Sequence, residues 1–166
     1  MLNGMPAEIC IGRQALTLLH RVLDAAAPEE GCALLLGCRE TAANGPAGPL
    51  RAGALWRLRR VWPCRNVWEP EDERRRRFLV DPREQLHAQQ WTRAHGLEVL
   101  ASVHSHPEGE PIPSATDRFL AVFPTLMLIR GGLPGPDSTR TGQPTLGCWW
   151  MEEAMEPRLL PWRMED

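Results

Sequence analysis

The segment between His104 and Asp117 restricts the fold of this chain more than any other part of the sequence. Two histidines, His104 and His106, stand one residue apart, and Asp117 follows eleven residues after the second. On a β-strand, residues i and i+2 point to the same face, so both imidazoles can reach one ion while Ser105 points away. The pattern predicts a strand that ends at the histidines, a proline-stiffened loop and a helix that begins near Ser114.

These side chains have the chemistry of a metal site. Two imidazoles and one carboxylate are ligands that catalytic zinc uses, with a fourth position left for water. We therefore predict that His104, His106 and Asp117 bind one zinc ion. The hydroxyl of Ser114 can cap the helix, stabilise an oxyanion, or do both. A non-haem iron site uses the same ligand types, but an oxygenase would leave Ser114 and an upstream carboxylate without a role.

A hydrolytic zinc site also needs a base that takes a proton from the zinc-bound water and passes it to the leaving amine. This base should be a carboxylate that does not itself bind the metal. Glu29 and Glu30 both lie between the first predicted helix and the apolar run at residues 32–37. A carboxylate beside such a run can have a raised pKa, which suits proton transfer near neutral pH. The spacing alone does not decide which of these two glutamates is the base.

The periodicity of apolar residues predicts an α/β fold in which a mixed β-sheet is flanked by helices, in one domain over residues 1–166. Helices are expected at 13–27, at 82–95 with Asp81 as the N-cap, and from Ser114 or Ala115 onward. Strands are expected at 32–37, 55–62, 78–80, 97–104 and 125–130, and near 144–151 and 157–163. Loops are expected at 39–54 and 131–141, and the residues after Trp162 are expected to fray.

Residues 69–77 place four acidic residues directly before four arginines. We favour a solvated loop whose charges pair with one another. A loop that docks a partner protein is the alternative.

The composition argues against several classes of protein. The net charge of −2 does not favour nucleic-acid or membrane-surface binding. No apolar run reaches the roughly 18–20 residues of a membrane-spanning helix, and no basic-then-apolar secretory signal begins the sequence. The five scattered cysteines form no CxxC pair, which indicates free thiols and a reducing, cytoplasmic environment. The sequence predicts no particular oligomeric state.

These residues resemble the motif of the JAMM, or MPN-plus, zinc metalloprotease family. The stretches His104-Ser105-His106-Pro107 and Ser114-Ala115-Thr116-Asp117 match it at the family spacing, and Glu30-Gly31-Cys32-Ala33-Leu34-Leu35-Leu36-Gly37 is similar to its upstream element. Asn66 and the run from Phe78 to Pro82 resemble the family's middle segment. The resemblance selects Glu30 over Glu29 as general acid/base. It further implies zinc at His104, His106 and Asp117, an oxyanion role for Ser114, and the MPN architecture.

The resemblance implies a zinc metalloprotease of compact bacterial type. Such an enzyme would hydrolyse a peptide or isopeptide bond after the Gly-Gly tail of a ubiquitin-like partner, in particular a sulfur-carrier protein. The alternative is a non-catalytic, zinc-containing module that docks such a partner. A zinc nucleoside deaminase has a comparable architecture, but it needs His-x-Glu and Pro-Cys-x-x-Cys. Here Pro63-Cys64 is followed by Val67 where the second cysteine should stand.

Overall fold

The computed structural model of the protein describes residues 4–40, 54–132 and 145–166. Its strands are β1 (Glu8–Gly12), β2 (Cys32–Glu40), β3 (Leu55–Cys64), β4 (Glu98–His106), β5 (Thr125–Gly131), β6 (Leu146–Met151), β7 (Arg158–Leu160) and β8 (Trp162–Glu165). Its helices are α1 (Arg13–Ala26), α2 (Pro82–Ala94) and α3 (Ala115–Leu120), with a short 3₁₀ helix at Glu71–Glu73.

The eight described strands form one mixed sheet in the order β7-β6-β5-β4-β2-β3-β1-β8. Strand β1 runs parallel to β3 and β8, and β4 runs parallel to β5, whereas the remaining neighbours are antiparallel. The predicted α/β fold with a mixed sheet and flanking helices is confirmed.

Helices cover both faces of the sheet. Helix α1 buries Leu19 and Leu23 in the larger core cluster, which contains Leu35 of β2. Helix α2 buries Ala88 against Leu34 and Leu36, which point to the opposite face. Because β2 is covered on both sides, its sequence is a continuous apolar run and does not alternate.

Local signals account for the bounds of α1 and α2. Helix α1 ends one residue before the predicted limit, close to Pro28. The carboxylate of Asp81 accepts a hydrogen bond of 2.9 Å from the Arg83 amide and caps α2, with Pro82 at its first turn. Gly96, just beyond the C-cap of α2, takes a φ of 65°, a conformation that glycine adopts readily.

Two predictions about strands are wrong. Residues 78–80 do not form a strand; they contribute only one isolated β-bridge, between Val80 and Asn66. The Leu79 amide donates to the side-chain oxygen of Asn66, where a strand residue would donate to the main chain of a neighbouring strand. The residues after Trp162 do not fray, since β8 pairs in parallel with β1. Strand β1 itself has no counterpart among the predicted elements.

The predicted loop at 39–54 lies mostly outside the described residues, and residues 39 and 40 complete β2. The loop predicted at 131–141 falls outside them from residue 133 onward. Among the described helices, none is both long enough and apolar enough to cross a membrane.

Candidate metal centre

The two histidines of β4 meet where that strand ends. Their side chains point to the sheet face that carries α2, and the two Nε2 atoms are 3.0 Å apart. Asp117, in the first turn of α3, brings its Oδ2 atom to 3.3 Å from Nε2 of His104 and 3.4 Å from Nε2 of His106. Three donor atoms from two elements therefore surround one point.

The spacing of these atoms fits a small tetrahedral ion. Zinc bonds of about 2.0–2.1 Å at tetrahedral angles place neighbouring ligand atoms about 3.3–3.4 Å apart. The two distances from Asp117 agree with this value, and the distance between the imidazoles is slightly shorter. Glu30, His104 and His106 also form a group whose ligand atoms lie within 4.8 Å of one another. Asp117 is the nearer candidate for the third ligand position, because its Oδ2 lies 3.4 Å from Nε2 of His106 whereas Oε1 of Glu30 lies 3.9 Å from it.

The loop between the histidines and α3 is anchored to distant strands. The carbonyl of His106 accepts hydrogen bonds from the amides of Gly109, at 3.1 Å, and Gly132, at 2.8 Å. The indole Nε1 of Trp149 donates to the carbonyl of Pro111 at 2.9 Å. A Cβ atom at Gly132 would lie 1.8 Å from the carbonyl oxygen of Pro107, so only glycine permits this approach. These contacts fix the loop that carries the chain from His106 to Asp117.

Ser114 and Asp117 form a capping box at the start of α3. The amide of Ser114 donates to Asp117 Oδ2 at 2.8 Å, and the Ser114 hydroxyl oxygen accepts from the Asp117 amide at 3.1 Å. The predicted cap is therefore present. The hydroxyl oxygen is used as an acceptor here, which leaves its hydrogen for a further acceptor.

The structure separates the two candidate bases. Glu30 is 4% exposed, and its Oε1 lies 3.9 Å from Nε2 of His106. Glu29 is only half-buried, and its amide continues the turn at the end of α1 by donating to Ala26. Glu30 is thus the carboxylate that the fold brings to the histidines.

Burial and hydrogen bonding shift the pKa values of the three candidate ligands. Burial lowers the pKa of His104, which favours the neutral imidazole that binds metals. Burial also lowers the pKa of His106, but hydrogen bonds with Asp117 and with the Glu110 carbonyl outweigh it and the net shift is upward. Burial raises the pKa of Asp117, yet hydrogen bonds with both histidines lower it well below its usual range. Asp117 therefore stays ionised.

Glu30 shifts in the opposite direction. Burial is the largest cause and raises its pKa from 4.5 to about 7, with His106 lowering it and Asp117 raising it further. A carboxyl group with this pKa can both accept and release a proton near neutral pH.

The contacts of His104 and His106 beyond the metal position differ. Nδ1 of His106 lies 2.8 Å from the Glu110 carbonyl, a common way to orient a ligating imidazole. Nδ1 of His104 is buried and has no hydrogen-bond partner within the described ranges. The ring of Phe78 stacks on that imidazole instead, with centroids 4.1 Å apart and an interplanar angle of 18°.

Neither Phe78 nor Asn66 is among the residues that the sequence predicts for the site. Their only signal was that both lie in the segment that resembles the family's middle part.

Comparison with known proteins agrees with the architecture. A protein of Desulfitobacterium hafniense, solved in solution, has a TM-score of 0.73 and 24% identity over 95% of this chain and 93% of its own. A JAB1/MPN domain protein of Archaeoglobus fulgidus has a TM-score of 0.50 and 17% identity, covering 94% and 98%. A Salinibacter ruber protein has a TM-score of 0.53 and 26% identity, covering 90% and 89%.

No curated protein sequence matches this chain. The family model described as prokaryotic homologues of the JAB domain matches residues 12–145, which include every residue of the candidate metal centre. The resemblance to the JAMM/MPN proteins is thereby confirmed. With its mixed sheet and its cluster of two histidines and acidic residues, the chain belongs to the family of prokaryotic homologues of the JAB domain.

Proposed function

We propose that this protein is a cytoplasmic zinc metalloprotease. It would hydrolyse a peptide or isopeptide bond that follows the Gly-Gly tail of a ubiquitin-like protein, in particular a sulfur carrier. The observation that supports this proposal most directly is the approach of a buried carboxylate, Glu30, to a three-ligand set that fits zinc.

The division of roles follows from the geometry and charge of the side chains. His104, His106 and Asp117 would hold the zinc ion. When bound, zinc supplies a Lewis acid that polarises a carbonyl group and lowers the pKa of water. Glu30 is not needed as a ligand, because three closer donors are present and the hydrolytic site keeps its fourth position open.

Glu30 would transfer protons. Its carboxylate accepts a proton from the attacking water, and the resulting acid delivers that proton to the leaving amine. In the metal-free protein burial raises the pKa of Glu30 to about 7, so this environment accommodates the protonated form that the transfer requires. The free hydrogen of the Ser114 hydroxyl would point to the developing oxyanion, a contact that is commonly worth several kcal/mol in acyl transfer.

Family membership supports the substrate class. The resemblance to the JAMM metalloproteases implies cleavage after a ubiquitin-like tail, and this chain retains the matching ligand residues and the glutamate. A Gly-Gly tail lacks side chains, so it can pass close to the main chain of an enclosed site. The alternative is a non-catalytic module that docks such a partner, and the test below distinguishes this module from an enzyme.

Two measurements test the proposal. Elemental analysis of protein purified without added metal or chelator should find close to one zinc per chain. The zinc-loaded protein is then incubated with a ubiquitin-fold sulfur carrier whose Gly-Gly terminus is extended by a short peptide. Mass spectrometry should detect cleavage after the second glycine.

The matched pair Glu30→Gln and Glu29→Gln provides the control. Both variants should retain zinc, but only Glu30→Gln should lose turnover, because an amide cannot accept the proton. A zinc-loaded wild-type protein that binds the carrier and leaves it intact would identify a docking module. A protein that takes up no zinc on titration would overturn the metal site as well.

A further inference from the structure

One side chain outside the metal centre organises the segment that adjoins it. The amide nitrogen of Asn66 donates to the carbonyls of Glu30 at 3.0 Å, Arg77 at 2.8 Å and Arg74 at 3.4 Å. Its oxygen accepts from the amides of Trp68 and Leu79, each at 3.1 Å. A carboxamide has two N–H donors and one acceptor oxygen with two lone pairs, so two hydrogens serve three carbonyls and the longest contact, to Arg74, shares one of them. Asn66 thus uses its full capacity on main-chain groups.

This network holds the main chain of Glu30 from both sides. The Glu30 amide donates to the carbonyl of Arg74 at 2.8 Å, and the Glu30 carbonyl accepts from Asn66. The next residue, Gly31, exchanges hydrogen bonds with Ser105 of β4. The peptide groups on either side of Glu30 are therefore held by Asn66, Arg74 and Ser105. The Glu30 carboxyl group extends from this fixed main chain.

The same segment also contacts a histidine of the metal centre. Phe78 follows Arg77 directly and stacks on His104, whose Nδ1 has no hydrogen-bond partner within the described ranges. Residues 66–79, which we call the bracket, therefore touch both the candidate base and a candidate ligand.

Five charged residues of the bracket, Glu69, Glu71, Glu73, Arg74 and Arg77, pair within it. The guanidinium of Arg74 donates to the Trp68 carbonyl at 2.7 Å and to Glu69 at 2.8 Å. Arg77 lies 3.3 Å from Glu73 and stacks over the Trp68 ring. Exposed ion pairs stabilise a fold little. The hydrogen bonds from the Asn66 side chain to main-chain groups therefore contribute most to fixing the conformation of the bracket. This arrangement supports the interpretation of residues 69–77 as an internally paired loop.

We propose that Asn66 is the positioning residue of this site and that the bracket sets the Glu30 carboxyl group relative to the histidines. The inference rests on the proposed function in so far as Glu30 transfers protons. A carboxylate displaced by about 1 Å from its productive position costs on the order of 100-fold in rate. Asn66 acts through the main chain of Glu30 and needs no contact with the substrate.

The test compares Asn66→Ala with Arg74→Ala and with Leu160→Ala. Arg74→Ala keeps the main-chain carbonyl that accepts from the Glu30 amide and loses only the side-chain contacts of a partly buried residue with Trp68, Glu69 and Glu71. It should therefore fold even where Asn66→Ala does not. Leu160→Ala removes a core side chain from β7, and it controls for a general loss of stability. Turnover is measured on the Gly-Gly-extended carrier, and amide hydrogen exchange is followed by NMR in the metal-free proteins.

We expect Asn66→Ala to lower kcat about 100-fold while KM changes little, and Arg74→Ala to lower it less. All three variants should bind one zinc, since the ligands lie on β4 and α3. The amides of Glu30 and Gly31 should exchange on the order of 10-fold faster in Asn66→Ala, with β5 amides unchanged. Leu160→Ala should keep its kcat and should not accelerate those two amides selectively.

The two readouts separate the proposals. If wild-type protein cleaves nothing, the proposed function fails, but the exchange rates of Glu30 and Gly31 still test the bracket. Unchanged exchange at both amides, or wild-type kcat in a folded Asn66→Ala protein, would overturn the positioning role.

Discussion

Ser105 and Gly31, which are 74 residues apart in the sequence, exchange two hydrogen bonds. The Gly31 amide donates to the Ser105 hydroxyl at 2.9 Å, and the Ser105 amide donates to the Gly31 carbonyl at 3.0 Å. Ser105 stands between the two histidines and points to the opposite face, whereas Gly31 directly follows Glu30. This reciprocal pair joins the strand that carries the ligands to the residue that carries the candidate base.

Replacing Ser105 with alanine should destabilise the protein by about 1–3 kcal/mol, because the buried Gly31 amide would lose its acceptor. Urea denaturation monitored by tryptophan fluorescence measures the change. Ser102→Ala, at a half-buried position of the same strand, is the control and should cost less. Equal midpoints for Ser105→Ala and wild type would show that this hydrogen bond does not stabilise the fold.

His106→Ala should abolish tight zinc binding, because two donors would remain where a stable site needs three. Elemental analysis of the purified variant, followed by zinc titration, measures this loss. His87→Ala is the matched control, since His87 is exposed on α2, and it should bind zinc as wild type does. One tightly bound zinc in His106→Ala would show that the ligand set is wrong.

Glu30 should make the stability of the metal-free protein depend on pH. Its pKa in the folded protein, about 7, lies above the ordinary 4.5, so the folded state binds a proton more tightly than the unfolded chain between these values. Protonated Glu30 makes its full contribution to the free energy of unfolding below about pH 4.5, and this contribution is lost as the pH rises through 7.

Glu30→Gln carries no such charge and should therefore gain stability over wild type as the pH rises. We expect the two proteins to be nearly equal near pH 4.5 and to differ by up to about 3 kcal/mol at pH 8. Denaturation in the presence of a chelator, at several pH values, measures the difference. A difference that does not vary with pH would contradict the raised pKa.

Gly132→Ala should disturb the metal centre although the residue is not a ligand. Its Cβ would lie 1.8 Å from the Pro107 carbonyl oxygen, so the loop that follows His106 must move. We expect a loss of at least about 2 kcal/mol in stability together with weaker zinc binding. Gly4→Ala, where a Cβ meets nothing within 4 Å, should change neither quantity.

Short-range features of this protein follow from the sequence itself. The alternation of side chains along a strand is enough to place His104 and His106 on one face and Ser105 on the other. The caps at Asp81 and Ser114 depend on hydrogen bonds within three residues, so residue type and spacing predict them. The mixed α/β class likewise follows from the order, along the chain, of segments whose apolar residues have helical or strand-like spacing.

The remaining features depend on contacts between residues far apart in the chain. The second half of strand β8, beyond the strand predicted near 157–163, escapes prediction because its partner, β1, lies at the other end of the chain. The distance from Asp117 to the histidines depends on Gly132 and Trp149, which hold the intervening loop.

Glu30 and Glu29 are chemically identical, so apart from the family resemblance only the folded structure distinguishes them, by the burial of Glu30 and its approach to His106. The burial of Glu30 follows from how the segment after α1 is hydrogen-bonded to Ser105 of β4 and to the bracket. Local hydrogen bonding and side-chain periodicity are properties of neighbouring residues, and the sequence displays them directly. The packing that orders the bracket around Asn66 and raises the pKa of Glu30 exists only once the chain has folded.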